Sequence, residues 1–261
     1  MTLAQTIAQT IWPDQAFADR VILITGATRG IGRALAWRLA ELGATCLLLG
    51  RDEAALDALY DAIVAAGYPE PVGIPVDLEH LSAEGAAELA AQIDSHFGRL
   101  DGLAHLAAVL GGREPLATHR PEQWHRVMQV NLNAVFLLTQ ATLPLLDAAE
   151  AGRIVMTTSS VGRSPEAYWG AYGVSKAGLE NFTAVLAAEL ENTSSTRVFT
   201  VNPGGTATRM RAEAKPGEDP RTLPQPEQIL DAFLWGLSTE AASAHGGRVN
   251  VRDVLALQAD H

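Results

Sequence analysis

One short apolar strand that runs without a break into a glycine-rich turn constrains this chain more than any other stretch. Val21-Ile22-Leu23-Ile24 reads as a strand, Thr25-Gly26-Ala27-Thr28-Arg29-Gly30-Ile31-Gly32 follows, and a helical pattern begins at once. Glycines at such a junction permit a tight turn and bring backbone N–H groups to the start of a helix, where they meet a pyrophosphate. Gly26, Thr28, Arg29, Gly30, Ile31 and Gly32 are therefore the expected phosphate cradle. A plain strand-to-helix turn is the competing reading. The spacing Gly-x-x-x-Gly-x-Gly also departs from the usual Gly-x-Gly-x-x-Gly.

The same alternation continues along the chain. Apolar runs at 45–49, 72–76, 102–107, 153–158, 197–201 and 247–251 supply six more strands. Amphipathic stretches near 31–42, 53–66, 82–97, 121–149, 170–192 and 226–238 supply helices. Strand–helix alternation implies right-handed βαβ units. The expected fold is α/β, a single Rossmann-like doubly wound domain over residues 1–261, with a seven-stranded parallel sheet and helices on both faces. No stretch reads as an interdomain linker. The Pro- and charge-rich residues 215–226 read as part of a surface loop or lid spanning about 206–226.

Composition excludes several classes. A formal net charge of -11 at pH 7 argues against a nucleic-acid partner, which wants a basic stripe. Cys46, the one cysteine, permits no intrachain disulfide and no multi-cysteine metal site, and no metal is expected. Its apolar neighbours mark it as a buried small hydrophobe. Residues 1–20 contain acidic groups and no long apolar core, and no apolar run approaches the ~20 residues that span a bilayer. The expected location is cytoplasmic.

The second strand bears on the choice of dinucleotide. It ends Leu49-Gly50-Arg51-Asp52, with Gly50 where an NAD site usually carries a carboxylate for the ribose. Unless Asp52 swings back, none is available. Arg51 and Arg29 offer two guanidinium groups for a 2′-phosphate, so NADP(H) is favoured over NAD(H). Solvated surface arginines are the alternative. Asp77-Leu78 follows the third strand, where Asp77 either accepts from an adenine amine or caps a helix.

A second constellation carries the chemistry. Tyr172 and Lys176 are four residues apart and share a helix face, and an ammonium near a phenol favours the phenolate. Such a tyrosine gives or takes protons. Ser159, thirteen residues upstream, supplies a hydroxyl for a substrate oxygen, with Ser160 as the alternative.

Together with the glycine turn, these residues resemble the short-chain dehydrogenase/reductase family over about residues 15–255. A bacterial YciK-type subgroup is the nearer likeness, through Ser159-Ser160-Val161-Gly162-Arg163, Trp169-Gly170-Ala171-Tyr172 and Asn202-Pro203-Gly204-Gly205-Thr206. The resemblance implies an NAD(P)-dependent oxidoreductase acting on a small-molecule carbonyl or alcohol. Ser159, Tyr172, Lys176 and Asn131 would be its catalytic set, with Asn131 anchoring a relay water. Pro203, Gly204, Thr206 and Thr208 would be its nicotinamide segment. It also implies a homodimer or homotetramer built on two long helices.

One departure stands out. Leu106-Ala107-Ala108 replaces the family's usual Asn-Ala-Gly, with Ala107 kept as a cofactor contact and Ala108 adding a methyl where the backbone passes the adenine ribose. That loss motivates a second reading, a catalytically weak dinucleotide-binding sensor or scaffold. His105 is the neighbour able to compensate, although a satisfied strand histidine is its default. Substrate loops are expected at 109–114, 163–169 and 206–226. Tyr168, Trp169 and Met210 offer apolar surface there, and Arg163, Arg209 and Arg211 offer charge or simple solvation.

Overall fold

The computed structural model describes residues 1–259. Seven parallel strands form one sheet in the order β3-β2-β1-β4-β5-β6-β7. They are β1 (Val21–Thr25), β2 (Thr45–Gly50), β3 (Val72–Pro75), β4 (Gly102–His105), β5 (Arg153–Thr157), β6 (Arg197–Asn202) and β7 (Arg248–Asn250). The order turns back at β1, whose neighbours are β2 and β4. A crevice opens at the carboxyl ends of strands at such a reversal, and ligands of open α/β sheets bind there.

The strands are continuous apolar runs because both faces of the sheet are covered. Ile22 and Ile24 of β1 face one core with Cys46 and Leu48 of β2. Val21 and Leu23 face the other with Leu47 and Leu49. The first face is covered by α2 (Gly30–Glu41), α3 (Glu53–Ala65) and α9 (Asp231–Leu237). Covering the second are α4 (Ala83–Phe97), α6 (Ala134–Asp147) and α7 (Gly170–Leu190). Cys46 is fully buried, and burial pushes its thiol up to about 12, so it is an inert core residue.

Three helices lie outside the expected set: α1 (Leu3–Ala8), α8 (Arg209–Ala214) and α10 (Val251–Ala259). The first is held by tertiary burial, with Ile7 and Phe17 fully enclosed in the first core. The expected helix at 121–149 is instead α5 (Pro121–Met128), a π turn at Gln129–Asn133, and α6. Hydrophobic periodicity runs through the π turn, so the pattern alone does not reveal the break. The lid-like stretch begins with α8 and continues through two 3₁₀ turns, Pro220–Thr222 and Pro226–Ile229.

The glycine turn sits at the reversal of strand order because backbone must pass close to backbone there. Gly26 has φ +71°, and a Cβ on it would lie 2.9 Å from both Cα and N of Ala107. A Cβ on Gly32 would lie 2.2 Å from the Gly26 carbonyl oxygen. Gly67 also has a positive φ, +78°, but a Cβ there meets nothing within 4 Å. Gly26→Ala is therefore expected to cost about 2–4 kcal/mol, left-handed strain plus displacement of the β4 loop. Gly67→Ala should cost only about 1 kcal/mol of left-handed strain. Chemical denaturation of the two variants checks this, and equal losses would show that the contact with Ala107 is unimportant.

Candidate active site

The tyrosine side of the site is assembled on α7. Lys176 is 3% exposed and its Nζ donates to the Thr157 carbonyl at 2.7 Å, tying α7 to the end of β5. Gly162 lets the loop after β5 lie directly on that helix, since a Cβ there would lie 2.9 Å from the Lys176 carbonyl carbon. This close seating brings the Ser159 side chain near enough to the Tyr172 phenol to lower its pKa. Ser160 is exposed, so Ser159 is the serine that meets the tyrosine.

The electrostatics differ from expectation. Burial pushes Tyr172 up to about 12, and Ser159 only partly opposes it. Lys176 is pushed down to about 8 by burial, with Glu180 opposing. Burial is the first cause for both groups, and it carries the phenol upward in spite of the nearby lysine. At neutral pH the pair is a protonated phenol with an ammonium 5.8 Å from its ring centroid.

Asn131 lies in the π turn, 1% exposed. Its Oδ1 accepts from Val109 N at 2.8 Å, and its Nδ2 donates to Val109 O at 3.0 Å and to Ser175 Oγ at 3.1 Å. Ser175 in turn donates to the Tyr172 carbonyl. The Asn131 amide thus fastens the loop after β4 to α7. Regular α-helix would not turn it inward, and π bulges recur at functional sites for that reason.

The Leu106-Ala107-Ala108 departure leaves no main-chain donor unsatisfied at its first two residues. The N–H groups of Leu106 and Ala107 both donate to Thr25 Oγ1 at 3.1 Å. His105 donates to or accepts from Thr139 Oγ1 at 3.0 Å and is pushed down to about 3, by burial first and Lys176 second. It is a neutral, satisfied strand residue.

On the phosphate side, α3 and α4 are capped by their own side chains, Asp52 and Ser82. The N-terminus of α2 has no such cap. Its first N–H groups are the ones a phosphate would take. Asp52 Oδ1 accepts from Ala55 N, so this carboxylate does not reach back to the end of β2. A Cβ on Gly50 would lie 2.7 Å from Thr28 Cγ2, so Thr28 fills the place where an NAD site keeps its carboxylate. The Arg29 guanidinium is lowered by burial, then by Arg209 and then by Arg51, with Glu213 and Asp52 opposing. Arg209 and Arg51 are thus near enough to act on Arg29, which suits this mouth to a phosphate.

Other candidate contacts are set by the loops. Asp77 Oδ1 accepts from Glu79 N, and Leu78 is buried in the second core, so Leu78 offers its main chain. Thr206 donates to Pro203 O, Gly204 has φ +70°, and Thr208 caps α8. Thr208 also meets the turn itself, its Cγ2 lying 3.4 Å from where a Gly30 Cβ would be.

Over the tyrosine is a small apolar cluster of Leu110, Val161, Trp169 and Ala214, with Tyr172 and Met210 packed against it. Trp169 and Met210 are where expected. Tyr168 is 55% exposed in a left-handed conformation, φ +70°, and stays outside the cluster. Of the arginines expected near substrate, Arg163 pairs with Glu180, Arg209 with Glu213 and Arg211 with Glu218. Arg113, Leu110, Val161 and Ala214 were not singled out by sequence. The only sequence signal for Arg113 is its place in the expected substrate loop 109–114.

Because the native pKa of Lys176 lies below its ordinary 10.5, the unfolded chain binds more protons between about 8 and 10.5. Stability from this group therefore rises with pH across that window, and the burial penalty, about 3 kcal/mol, is fully present below it. Lys176→Met should be most stabilised relative to wild type near pH 7, with the difference shrinking as pH rises towards 10. Thermal melts across pH check this, and a pH-independent difference would contradict it.

The short chain dehydrogenase family model matches residues 20–219. An uncharacterized oxidoreductase, YciK, of Escherichia coli (strain K12) is 44% identical over 228 residues, 87% of this chain and 90% of its own length. A short chain dehydrogenase from Shigella flexneri 2a complexed with NADP superposes with a TM-score of 0.89 at 41% identity, covering 92% of this chain and all of that one. One from Escherichia coli CFT073 complexed with NADPH gives 0.88 at 42%, with the same coverage. This chain belongs to the short-chain dehydrogenase/reductase family and is an NAD(P)-dependent oxidoreductase.

Proposed function

We propose that the protein uses NADP(H) to interconvert a small carbonyl compound and its alcohol, within one catalytic domain. The observation that carries this reading is the meeting of Ser159 and Tyr172 above the buried Lys176. The residues around the glycine turn fit a dinucleotide. Gly26, Thr28, Gly30, Ile31 and Gly32 would hold the pyrophosphate, and Arg29 and Arg51 the 2′-phosphate. Asp77 and Leu78 would meet the adenine, and Ala107 a ribose. Pro203, Gly204, Thr206 and Thr208 would border the nicotinamide, whose reduced form supplies the hydride for the carbonyl carbon.

The chain's own residues manage the proton. Tyr172 is protonated at neutral pH and gives its proton to the carbonyl oxygen, leaving an alcohol. Ser159 holds that oxygen in line. The Lys176 ammonium, charged below about pH 8, returns a proton to the phenolate so formed. The Asn131 side chain is fully engaged, so it keeps the loop and helix in place and contributes to a relay through its main chain. The phenol is protonated at neutral pH, so Tyr172 enters the reductive half of the cycle in the form that can give a proton.

The working form is a homodimer or homotetramer. Phe136 of α6 and Val174 and Val185 of α7 are exposed, and Phe136 meets Phe182 edge-on. A second copy would cover this apolar face. No helix of the described residues is long and apolar enough to cross a membrane, which supports a cytoplasmic site of action.

Tyr172→Phe should reduce carbonyl turnover by at least about a thousandfold while NADPH affinity, read by fluorescence titration, changes little. Turnover near the wild-type level would remove Tyr172 as the acid. Arg29→Ala and Arg51→Ala should each weaken NADPH by about tenfold or more and leave NADH nearly unchanged. Equal losses for both cofactors would count against the 2′-phosphate role.

A further inference from the structure

Arg113 differs from the other arginines of the substrate loops. Arg163, Arg209, Arg211 and Arg221 each stand within ion-pair distance of a carboxylate. Among the described residues, no carboxylate pairs with Arg113. The two acids nearest it along these loops are turned elsewhere. Glu114 Oε1 stands 3.2 Å from His119 Nδ1, and Glu166 accepts from the Trp169 indole N–H at 3.1 Å.

The Arg113 guanidinium instead lies on the face of Trp169, its Cζ 4.6 Å from the ring centroid. Its Nη1 donates to the Ala214 carbonyl at 2.5 Å, at the end of α8. Trp169 is buried, and its ring stands 5.8 Å from that of Tyr172. The cation is thus one aromatic ring away from the phenol, at the exposed rim of the apolar cluster of Leu110, Val161, Trp169, Met210 and Ala214. Stacking fixes the plane of the guanidinium and leaves its remaining N–H groups for a planar anion.

Resting on the oxidoreductase reading above, we propose that Arg113 is the specificity residue of an anionic substrate subsite, and that the substrate is an oxo-acid or hydroxy-acid. Its carbonyl or alcohol meets Tyr172, a short apolar body lies against Trp169 and Met210, and its carboxylate pairs with Arg113. The paired carboxylates of the other substrate-loop arginines explain why this one is selected, since a substrate anion would there displace an existing partner.

A matched pair of ketones tests this, 5-oxohexanoate against 2-heptanone, with wild type and Arg113→Gln. Wild type should prefer 5-oxohexanoate in kcat/KM by about tenfold or more, and Arg113→Gln should abolish that preference, mainly through KM. Turnover of 2-heptanone should hardly change. Equal losses on both ketones would make Arg113 a simple tie between Trp169 and α8 and overturn the subsite. Calorimetry of both ketones with the protein and oxidised NADP reads binding without turnover. Selective binding of 5-oxohexanoate that is lost in Arg113→Gln would support the subsite even if no hydride transfer were seen, a result that would sink only the proposed carbonyl turnover. Equal binding of the two ketones by wild type would overturn the subsite.

Discussion

A buried ammonium bonded to a strand-end carbonyl organises the reactive half of this molecule. Lys176 Nζ reaches Thr157 O, so the end of β5 and the second turn of α7 are fixed to one another. Ser159 lies two residues beyond the carbonyl, and Tyr172 lies one helical turn before the ammonium. Their meeting follows from that single bond together with the close approach that Gly162 permits. Burying a cation for one hydrogen bond is costly. The fall of Lys176 to about 8 is that cost seen as a proton affinity.

The same burial fixes the protonation states. A lysine beside a tyrosine lowers the phenol only while the lysine keeps its charge. Here burial pushes the amine down and the phenol up, so at neutral pH both keep their protons. Glu180, one turn after Lys176, is the group that holds the ammonium up. It is itself engaged by Arg163 and Arg248, which limits how much it can do. An acid at Tyr172 and a proton donor at Lys176 are the roles these states favour near neutrality.

Local patterns made much of this legible in advance. Tyr172 and Lys176 share a helix face by spacing alone, and the strand–glycine–helix junction at Gly26 marks the strand reversal. The missing carboxylate at Gly50 was also visible, but its cause was not. Thr28 occupies that space from a loop that sequence places more than twenty residues away. The π turn at Asn131 was hidden because apolar residues keep their spacing through it. Arg113 was hidden because what distinguishes it lies far along the chain, at Trp169 and, 101 residues on, at Ala214. The pKa shifts were hidden because burial belongs to the assembled structure.

The overall charge and the local field point in opposite directions, and the local field governs the site. The chain carries a net -11, yet Arg29, Arg209 and Arg51 converge where α2 begins without a capping side chain. Like charges held together raise the local potential and favour an anion that relieves them. Glu213 and Asp52 oppose the two arginines, and burial is the first cause that leaves Arg29 lowered. Asp52 is moreover held by Ala55 N at the start of α3.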